Sequence, residues 1–373
     1  MIKIASDSQI PHIEQKLSEF FADEYSLKYF EFEQLTSNDL RDVDALLVRS
    51  LVHVNKELCN DSQIKFVGSA TAGINHLDTQ YLDCQNISWS HAPGCNASSV
   101  THYVMAALGE LIQEGLFNVR QSVGIIGYGN IGQMLYQLLS ALNIQVYACD
   151  PFLKDNHLVN MEKILECDLI TIHVPYSLEG AHPTSDLINQ SHTSILKDKI
   201  LINTSRGGIV SEELVAESQD LIYVADVWLD EPIPSITTVK KAFISTPHIA
   251  GYSIEGKLNG STMIARECAR AFNCLKESSL AKDDLIDWPH GLKNIVRDMH
   301  GYGFPVAVFK SELDLQGISD NFKSISPNKL ADEFKSLRTN HPPRNDFNKY
   351  SYKNLIALDE SINIDFFNAI QNL

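Results

Sequence analysis

The first hundred residues alternate short apolar runs with stretches whose apolar positions recur at helical spacing. IKIA, ALLVRS, IKFVGSAT and ISWSHA have strand length, and the segment from Ile10 to Phe21 reads as a helix between the first two. Apolar runs of this kind, separated by helix-length segments, predict βα units around a buried parallel sheet. PGCNASSVTHYVMAALGEL then opens with a turn, offers Asn96 or Ser98 as an N-cap, and continues as a long apolar helix. A second series follows in SVGIIGYG, IQVYACD, LITIHVP, KILINTS, IYVADVW and AFISTP. Six strands with helices between them predict a complete doubly wound domain. An amphipathic helix over 260–275 provides a route back to the first lobe. Beyond about Ser278 the composition shifts to charge, Asn and Pro, with PVAVFK and NLIALD as two strand-like runs.

Length and composition refine this picture. A chain of 373 residues is too long for one ordinary core. Its hydrophobic fraction of 44% and charged fraction of 21% are those of a globular protein. The formal net charge of -17 argues against a nucleic-acid surface, which needs a basic stripe. It also requires any anionic ligand to be met by local Arg and Lys. Seven cysteines in mostly apolar surroundings, with no CxxC spacing, read as small buried hydrophobes, and no metal is expected. The N-terminus lacks the apolar run of a signal peptide and no later segment is long enough to span a bilayer, so the expected location is cytoplasmic, with no membrane partner.

The candidate chemistry lies in the second series. Gly127, Gly129 and Gly132 form G-x-G-x-x-G between the strand SVGII and the helix that follows. The first glycine permits a tight turn, the second lets backbone N–H groups approach a pyrophosphate, and the third packs helix against strand. Asp150 ends the next strand, about 20 residues on, where a carboxylate holds ribose hydroxyls and repels a 2′-phosphate. The turn therefore predicts NAD rather than NADP; the plainer reading of Asp150 is a turn residue before Pro151. Arg206 follows KILINTS at a strand's carboxyl end, and its fork suits a carboxylate. The adjacent Gly207 and Gly208 suggest close ligand approach. Glu231 lies beyond IYVADVW and His248 beyond AFIS. Each alone is more often structural. Together on adjacent strand ends they offer a clamp for a 2-hydroxy acid and a His–Glu pair to take its hydroxyl proton.

The run from GIIGYGNIG to HIAGY resembles the D-isomer-specific 2-hydroxyacid dehydrogenases. ALLVRSLVHVN, IKFVGSATAGINHLD, APGCNASSV and HIAGYSIEGKLNG narrow the likeness to members that act on a phosphorylated acid. The resemblance implies an α/β fold of two doubly wound parallel-sheet lobes, a Rossmann NAD domain over 96–256 and a flavodoxin-like substrate lobe over 1–95 with 257–277. It also implies that the small α+β tail, 278–373, is a dimerisation domain of a homodimer. His248 would be the base, Glu231 its orienting partner and Arg206 the carboxylate clamp. Asp226 would hold the nicotinamide side of NAD, and the backbones of Asn130 and Ile131 its pyrophosphate. Thr204 and Ser205 would lie along the cofactor, with Gly251 near the ring. Ser50, Thr71 and Tyr252 map onto substrate contacts. Arg49 and Lys257 are the cations suited to a distal phosphate, Arg49 preferred. The chain departs from the family at His102, where a Glu is usual, and at Val174, where Thr is common. Pro342 and Pro343 interrupt a stretch that is usually continuous and basic. Rival readings are the same chemistry on 3-phosphoglycerate or an unphosphorylated acid, and a NAD-sensing protein like the corepressors that share this fold.

Overall fold

A computed structural model describes residues 1–276, 285–288, 292–352 and 364–373. The chain divides into two compact units, 1–96 with 253–284 and 97–252 with 285–373.

The first unit is built on a parallel sheet of β1 (Ile2–Asp7), β2 (Tyr25–Phe30), β3 (Ala45–Val48), β4 (Phe66–Ser69) and β5 (Ser88–Ser90), in the order β2-β1-β3-β4-β5. This is the flavodoxin-like order. β3 and β4 are buried along their whole length, as their apolar runs require. β2 is not among the strands read from the sequence. It is the sheet edge, half-exposed throughout, and carries no buried apolar run to announce it. The returning helix spans Ile254–Ala271, starting six residues ahead of the expected 260–275, because the Ser253 side chain accepts from the Gly256 N–H at 2.9 Å and caps it there. Its face of Ile264, Ala265, Cys268 and Ala269 packs with Ile13, Leu17 and Phe20 of the first helix, which joins it to this unit.

The second unit holds β6 (Val123–Ile126), β7 (Val146–Cys149), β8 (Leu169–Ile172), β9 (Ile200–Asn203), β10 (Ile222–Ala225) and β11 (Ile244–Ser245), all parallel, in the order β11-β10-β9-β8-β6-β7. The six strands are those expected. The order reverses between β6 and β8, and open α/β sheets bind ligands beyond the strand ends at such a point. Gly127, Asp150, His173, Thr204, Asp226 and Thr246 each follow directly on one of these carboxyl ends.

The described part of the tail belongs to this same unit. It contributes the helices Leu292–Tyr302, Val306–Lys310, Leu315–Ser324, Leu330–Thr339 and Ile364–Gln371, and the two-residue strands β12 (Ile286–Asp287) and β13 (Tyr350–Ser351), which pair in parallel. PVAVFK is helix, not strand: Val306, Val308 and Phe309 are buried in the core that also holds residues of the helix Ala97–Gln113. A five-residue apolar run fits either period, and the helical neighbour decides. NLIALD lies outside the described residues. Phe304, Phe309, Phe347, Phe366 and Phe367 share one core with Tyr103, Leu111, Leu135 and Leu139, so the described part of the tail packs into the core of the nucleotide domain. Each such ring contributes about 1.5–3 kcal/mol by burial, which fastens the tail to the unit.

Six of the seven cysteines are buried as expected and Cys84 is exposed; all are free. Among the described residues no helix is long and apolar enough to cross a membrane.

Candidate active site

The loop after β11 is clamped from below by Asp226. That carboxylate is 1% exposed and accepts from the Thr246 hydroxyl (2.6 Å), the Ile249 N–H (2.7 Å) and the Ala250 N–H (2.9 Å). The buried Tyr103 hydroxyl in turn donates to Thr246 Oγ1 at 2.7 Å. Burial pushes the Asp226 carboxyl up, while the nearby His248, the Thr246 hydroxyl and the two N–H groups work to keep it charged. Asp226 thus organises the loop through its own hydrogen bonds. Between its two anchors the backbone turns left-handed at His248, φ 58°, a region costly for a non-glycine residue and sustained here by the flanking bonds.

The turn aims the imidazole at Glu231. His248 Nδ1 donates to Glu231 Oε2 at 2.7 Å, and Glu231 Oε1 accepts from the Trp228 N–H at 3.0 Å. Burial opposes the Glu231 charge, but the bond and charge of His248, the Trp228 N–H and the Arg338 guanidinium outweigh it and hold the carboxyl below its usual value. With Nδ1 donating, Nε2 is left with the lone pair that can accept a proton.

Arg206 leaves β9 through a turn shaped by Asn203, whose Oδ1 accepts from the Ser205 N–H and whose Nδ2 donates to the Arg206 carbonyl, each at 3.1 Å. The guanidinium donates to the Ser205 carbonyl at 2.7 Å. Desolvation lowers its pKa and the Glu231 charge acts the other way, so the cation and the His–Glu pair share one electrostatic environment. The adjacent glycines have a reason other than ligand approach. A Cβ on Gly207 would lie 1.8 Å from the Trp228 carbonyl oxygen, and Gly208 has φ +78°. Both serve the protein's own packing. Ser205, expected along the cofactor, is buried and donates to the Ile172 carbonyl at 2.5 Å, tying β9 to β8. Thr204 is buried beside His173, its Oγ1 3.5 Å from the ring nitrogen Nδ1.

Comparison with known proteins agrees with this geometry. Residues 113–250 match the model of the D-isomer specific 2-hydroxyacid dehydrogenase NAD binding domain. The chain is similar to the erythronate-4-phosphate dehydrogenase of Cellvibrio japonicus, 33% identical over 373 residues, covering 94% of this chain and 95% of that one. It is also similar to the enzyme of that name from Acinetobacter baylyi, 39% identical over 282 residues, 73% of this chain and 78% of that one. The chain belongs to the D-isomer-specific 2-hydroxyacid dehydrogenase family. Among solved structures, the NAD+-bound 3-phosphoglycerate dehydrogenase of Entamoeba histolytica aligns with a TM-score of 0.61 at 21% identity, over 75% of this chain and 99% of that one. A D-lactate dehydrogenase of Treponema pallidum aligns with a TM-score of 0.62 at 20% identity, over 74% and 100%. These two likenesses speak for the fold alone.

A D-2-hydroxyacid dehydrogenase must hold a dinucleotide, and the glycine turn fits one. Gly127 has φ +94°, and a Cβ there would meet the His173 carbonyl oxygen at 2.3 Å; on Gly132 it would meet the Gly127 carbonyl oxygen at 2.1 Å. On Gly129 it would meet nothing within 4 Å, so open space lies ahead of the helix Asn130–Ala141, whose first N–H groups, from Asn130 and Ile131, are suited to a pyrophosphate. Asp150 accepts from the Tyr128 N–H at 3.0 Å and from the Phe152 N–H at 3.1 Å, so it is a turn residue and a brace of the glycine loop at once. Each oxygen keeps a second lone pair for a ribose hydroxyl. Val174 lies against the turn, within 2.8 Å of a Cβ placed on Gly127.

In the first unit, Arg49 follows β3 and Thr71 follows β4. Arg49 is already engaged: its Nε and Nη2 donate to the two oxygens of the fully buried Asp7 at 2.9 and 3.3 Å. Lys257 is held below its usual pKa by desolvation and then by the Arg49 charge, which makes the two cations neighbours. The Thr71 hydroxyl is 2.8 Å from that of Ser69, which is 2.8 Å from His76 Nε2; Ser50 is exposed.

Arg344, Arg338 and His341 of the tail reach loops of the second unit, and none of them is among the expected site residues. Arg344, 2% exposed, donates to the carbonyls of Ser99 (3.2 Å) and Ala250 (2.9 Å), to His102 Nδ1 (3.2 Å) and to Asp346 (3.3 Å). His102 Nε2 donates to the Phe309 carbonyl at 2.9 Å, so the histidine bridges to the tail. Arg338 stacks its guanidinium over the Tyr252 ring, 5.6 Å from the centroid. Tyr252 also packs against the His341 ring at 6.4 Å, while Gly251 precedes it, half-buried. The tail, expected as a dimerisation domain, therefore touches both Ala250 and Tyr252. Such contacts join residues far apart in the chain, 94 positions for Arg344 and Ala250, and no local motif signals them.

Proposed function

We propose that the protein oxidises 4-phospho-D-erythronate to 2-oxo-3-hydroxy-4-phosphobutanoate, using NAD, a step in the formation of vitamin B6. The observation that carries the reaction class is the 2.7 Å bond from His248 to Glu231 with the Arg206 guanidinium in the same electrostatic environment. The choice of acid rests on the relatives, which carry the name erythronate-4-phosphate dehydrogenase at 33 to 39% identity.

In this reading His248 Nε2 takes the proton of the substrate's C2 hydroxyl as the C2 hydrogen leaves with its electron pair. Bound NAD supplies the acceptor for that hydride. Glu231 holds the ring so that Nε2 faces the substrate, and its charge stabilises the imidazolium that forms. Arg206 clamps the substrate carboxylate with two parallel N–H donors and draws charge from the developing C2 carbonyl oxygen. Asp226 keeps the His248 turn in place throughout. The helix N-terminus behind Gly129 and the Asp150 carboxylate would hold the dinucleotide, with the carboxylate disfavouring a 2′-phosphate. Ser50, Thr71 and Tyr252 would line the substrate, and a homodimer assembled through the tail remains part of the proposal.

The test is NADH formation at 340 nm from a panel of phosphorylated and unphosphorylated 2-hydroxy acids. 4-Phospho-D-erythronate should show the highest kcat/KM. His248→Ala should bind NAD and fail to turn over, and Arg206→Lys should lose turnover far more than NAD affinity. Preference for an unphosphorylated acid would refute the substrate, and an active His248→Ala would refute the base.

A further inference from the structure

Arg338 lies in the helix Leu330–Thr339 and its side chain is partly buried. Its guanidinium lies over two rings, Tyr252 at 5.6 Å and Phe334 at 5.9 Å. Such cation–π contacts hold the guanidinium near both rings without using its N–H donors. Its Nε is buried without a hydrogen-bond partner, and among the described residues no hydrogen bond or ion pair reaches the guanidinium. A buried Nε without a partner is uncommon, because buried polar groups are nearly always paired. Its field reaches Glu231, so it stands near the His248–Glu231 pair. Arg206, which shares that environment, is the natural clamp for the reacting carboxylate. Arg49 has two donors committed to Asp7, which cancels its charge locally. With Arg49 so engaged, the second anionic group of a phosphorylated acid must be met by another cation, Lys257 or Arg338, and Arg338 carries the buried donor without a hydrogen-bond partner.

We infer that Arg338 is a specificity-determining residue that binds the phosphate of a phosphorylated 2-hydroxy acid, its fork presented by the Tyr252 ring. The inference rests on the proposed dehydrogenase reading and deepens it. It makes the tail part of the substrate site within its own chain, and it moves the phosphate contact away from Arg49. It also answers the charge problem of a -17 protein, since an unpaired fork in a half-buried setting attracts an anion where the overall field repels it.

The experiment compares the full-length protein with Arg338→Ala, Arg338→Lys and Lys257→Ala, assayed with 4-phospho-D-erythronate and with D-erythronate. The ratio of the two kcat/KM values should fall about 30- to 100-fold in Arg338→Ala, chiefly through KM for the phosphorylated acid, as expected when a charged bidentate bond is lost. Arg338→Lys should recover part of it, and NAD affinity, read by fluorescence titration, should not move. Equal losses on both acids would mean that Arg338 only packs, and would overturn the assignment. So would a collapsed ratio in Lys257→Ala with an unchanged one in Arg338→Ala, which would give the phosphate to the first unit. If the wild-type protein oxidises neither acid, the substrate reading fails instead; the same ratio taken with 3-phosphoglycerate and glycerate then tests Arg338 on its own. A wild-type protein that shows no preference for phosphorylated over unphosphorylated acids in either pair would overturn the inference outright.

Discussion

Replacing Arg344 by Met tests whether the tail holds the His248 loop. The guanidinium is 2% exposed and spreads four hydrogen bonds over the Ser99 carbonyl, the Ala250 carbonyl, His102 and Asp346. Met fills most of the volume but donates nothing, so Asp346 loses its cation. Breaking a buried ion pair by removing one partner typically costs about 3–5 kcal/mol. The share that belongs to the loop is the 2.9 Å bond to Ala250. A bond from a charged donor is worth about 1.5–3 kcal/mol, or roughly 10- to 150-fold in the equilibrium for loop opening. The direct reporters are the amides of Ile249 and Ala250, which donate to Asp226 and exchange only when the loop opens. In Arg344→Met their hydrogen-exchange protection should fall by that factor, kcat should fall with it, and amides in β3 of the first unit should stay near wild type. Arg344→Lys should be intermediate, because one ammonium cannot reach two carbonyls in the geometry of a fork. Wild-type protection at Ile249 and Ala250 in a folded Arg344→Met protein would show that Asp226 alone holds the loop, and the coupling to the tail would be wrong.

Gly129→Ala should leave folding intact, with Tm within about 2 °C, because its Cβ meets nothing, yet weaken NAD binding about tenfold or more by occupying the space a pyrophosphate needs; unchanged affinity in a titration would refute the placement. Glu231→Gln keeps the shape of the His248 partner but removes its charge, so kcat should fall about 10- to 150-fold with NAD affinity unchanged, and near-normal turnover would remove Glu231 from the mechanism. Acid should destabilise both units through buried neutral histidines. His76 is pushed down to about 4 by burial and by His53 and His91, and His102 to about 3 by burial and the Arg344 charge. The unfolded chain binds these protons near pH 6.5 and the folded one does not. Stability is therefore unaffected above that pH and falls as the pH drops from 6.5 toward 4 in the first unit and toward 3 in the second. The slope is at most about 1.4 kcal/mol per pH unit for each histidine, and urea midpoints that stay flat between pH 6.5 and 4.5 would contradict it.

What was legible in the sequence follows from what is local. The six strands of the nucleotide domain are buried apolar runs, and the catalytic candidates stand directly after them, so strand and site are read from the same few residues. β2 escaped because an edge strand with half-exposed side chains lacks the apolar run on which that reading depends. PVAVFK misled because five residues carry too little periodicity to separate helix from strand. For Asp226 the sequence position after β10 shows nearness to the ligand side, but not the three donors from the next strand end that its carboxylate also accepts from. Gly207 shows the same ambiguity, since a glycine marks close approach without saying whether a ligand or the protein's own carbonyl approaches.

The tail shows where local reading stops. Its helices have the apolar faces that sequence can reveal, but the partners of those faces lie far earlier in the chain, among them the helices Ala97–Gln113 and Asn130–Ala141 and the strand β11, and two of its arginines, Arg344 and Arg338, contact residues 250 and 252. Phe347, three residues after Arg344, and Phe334, in the helix of Arg338, are each buried in a core shared with the nucleotide domain, which gives these arginines the base a guanidinium needs if its fork is to meet a carbonyl or an anion at a fixed angle. An interface with a second chain, the role expected of this segment, asks only for an outward surface and leaves the inward one unexplained. The inward surface is where Arg344 and Arg338 lie. A tail that bound only another subunit would have no use for a buried guanidinium on the Ala250 carbonyl, so the contact argues that catalysis and the tail are coupled within one chain whatever the oligomeric state.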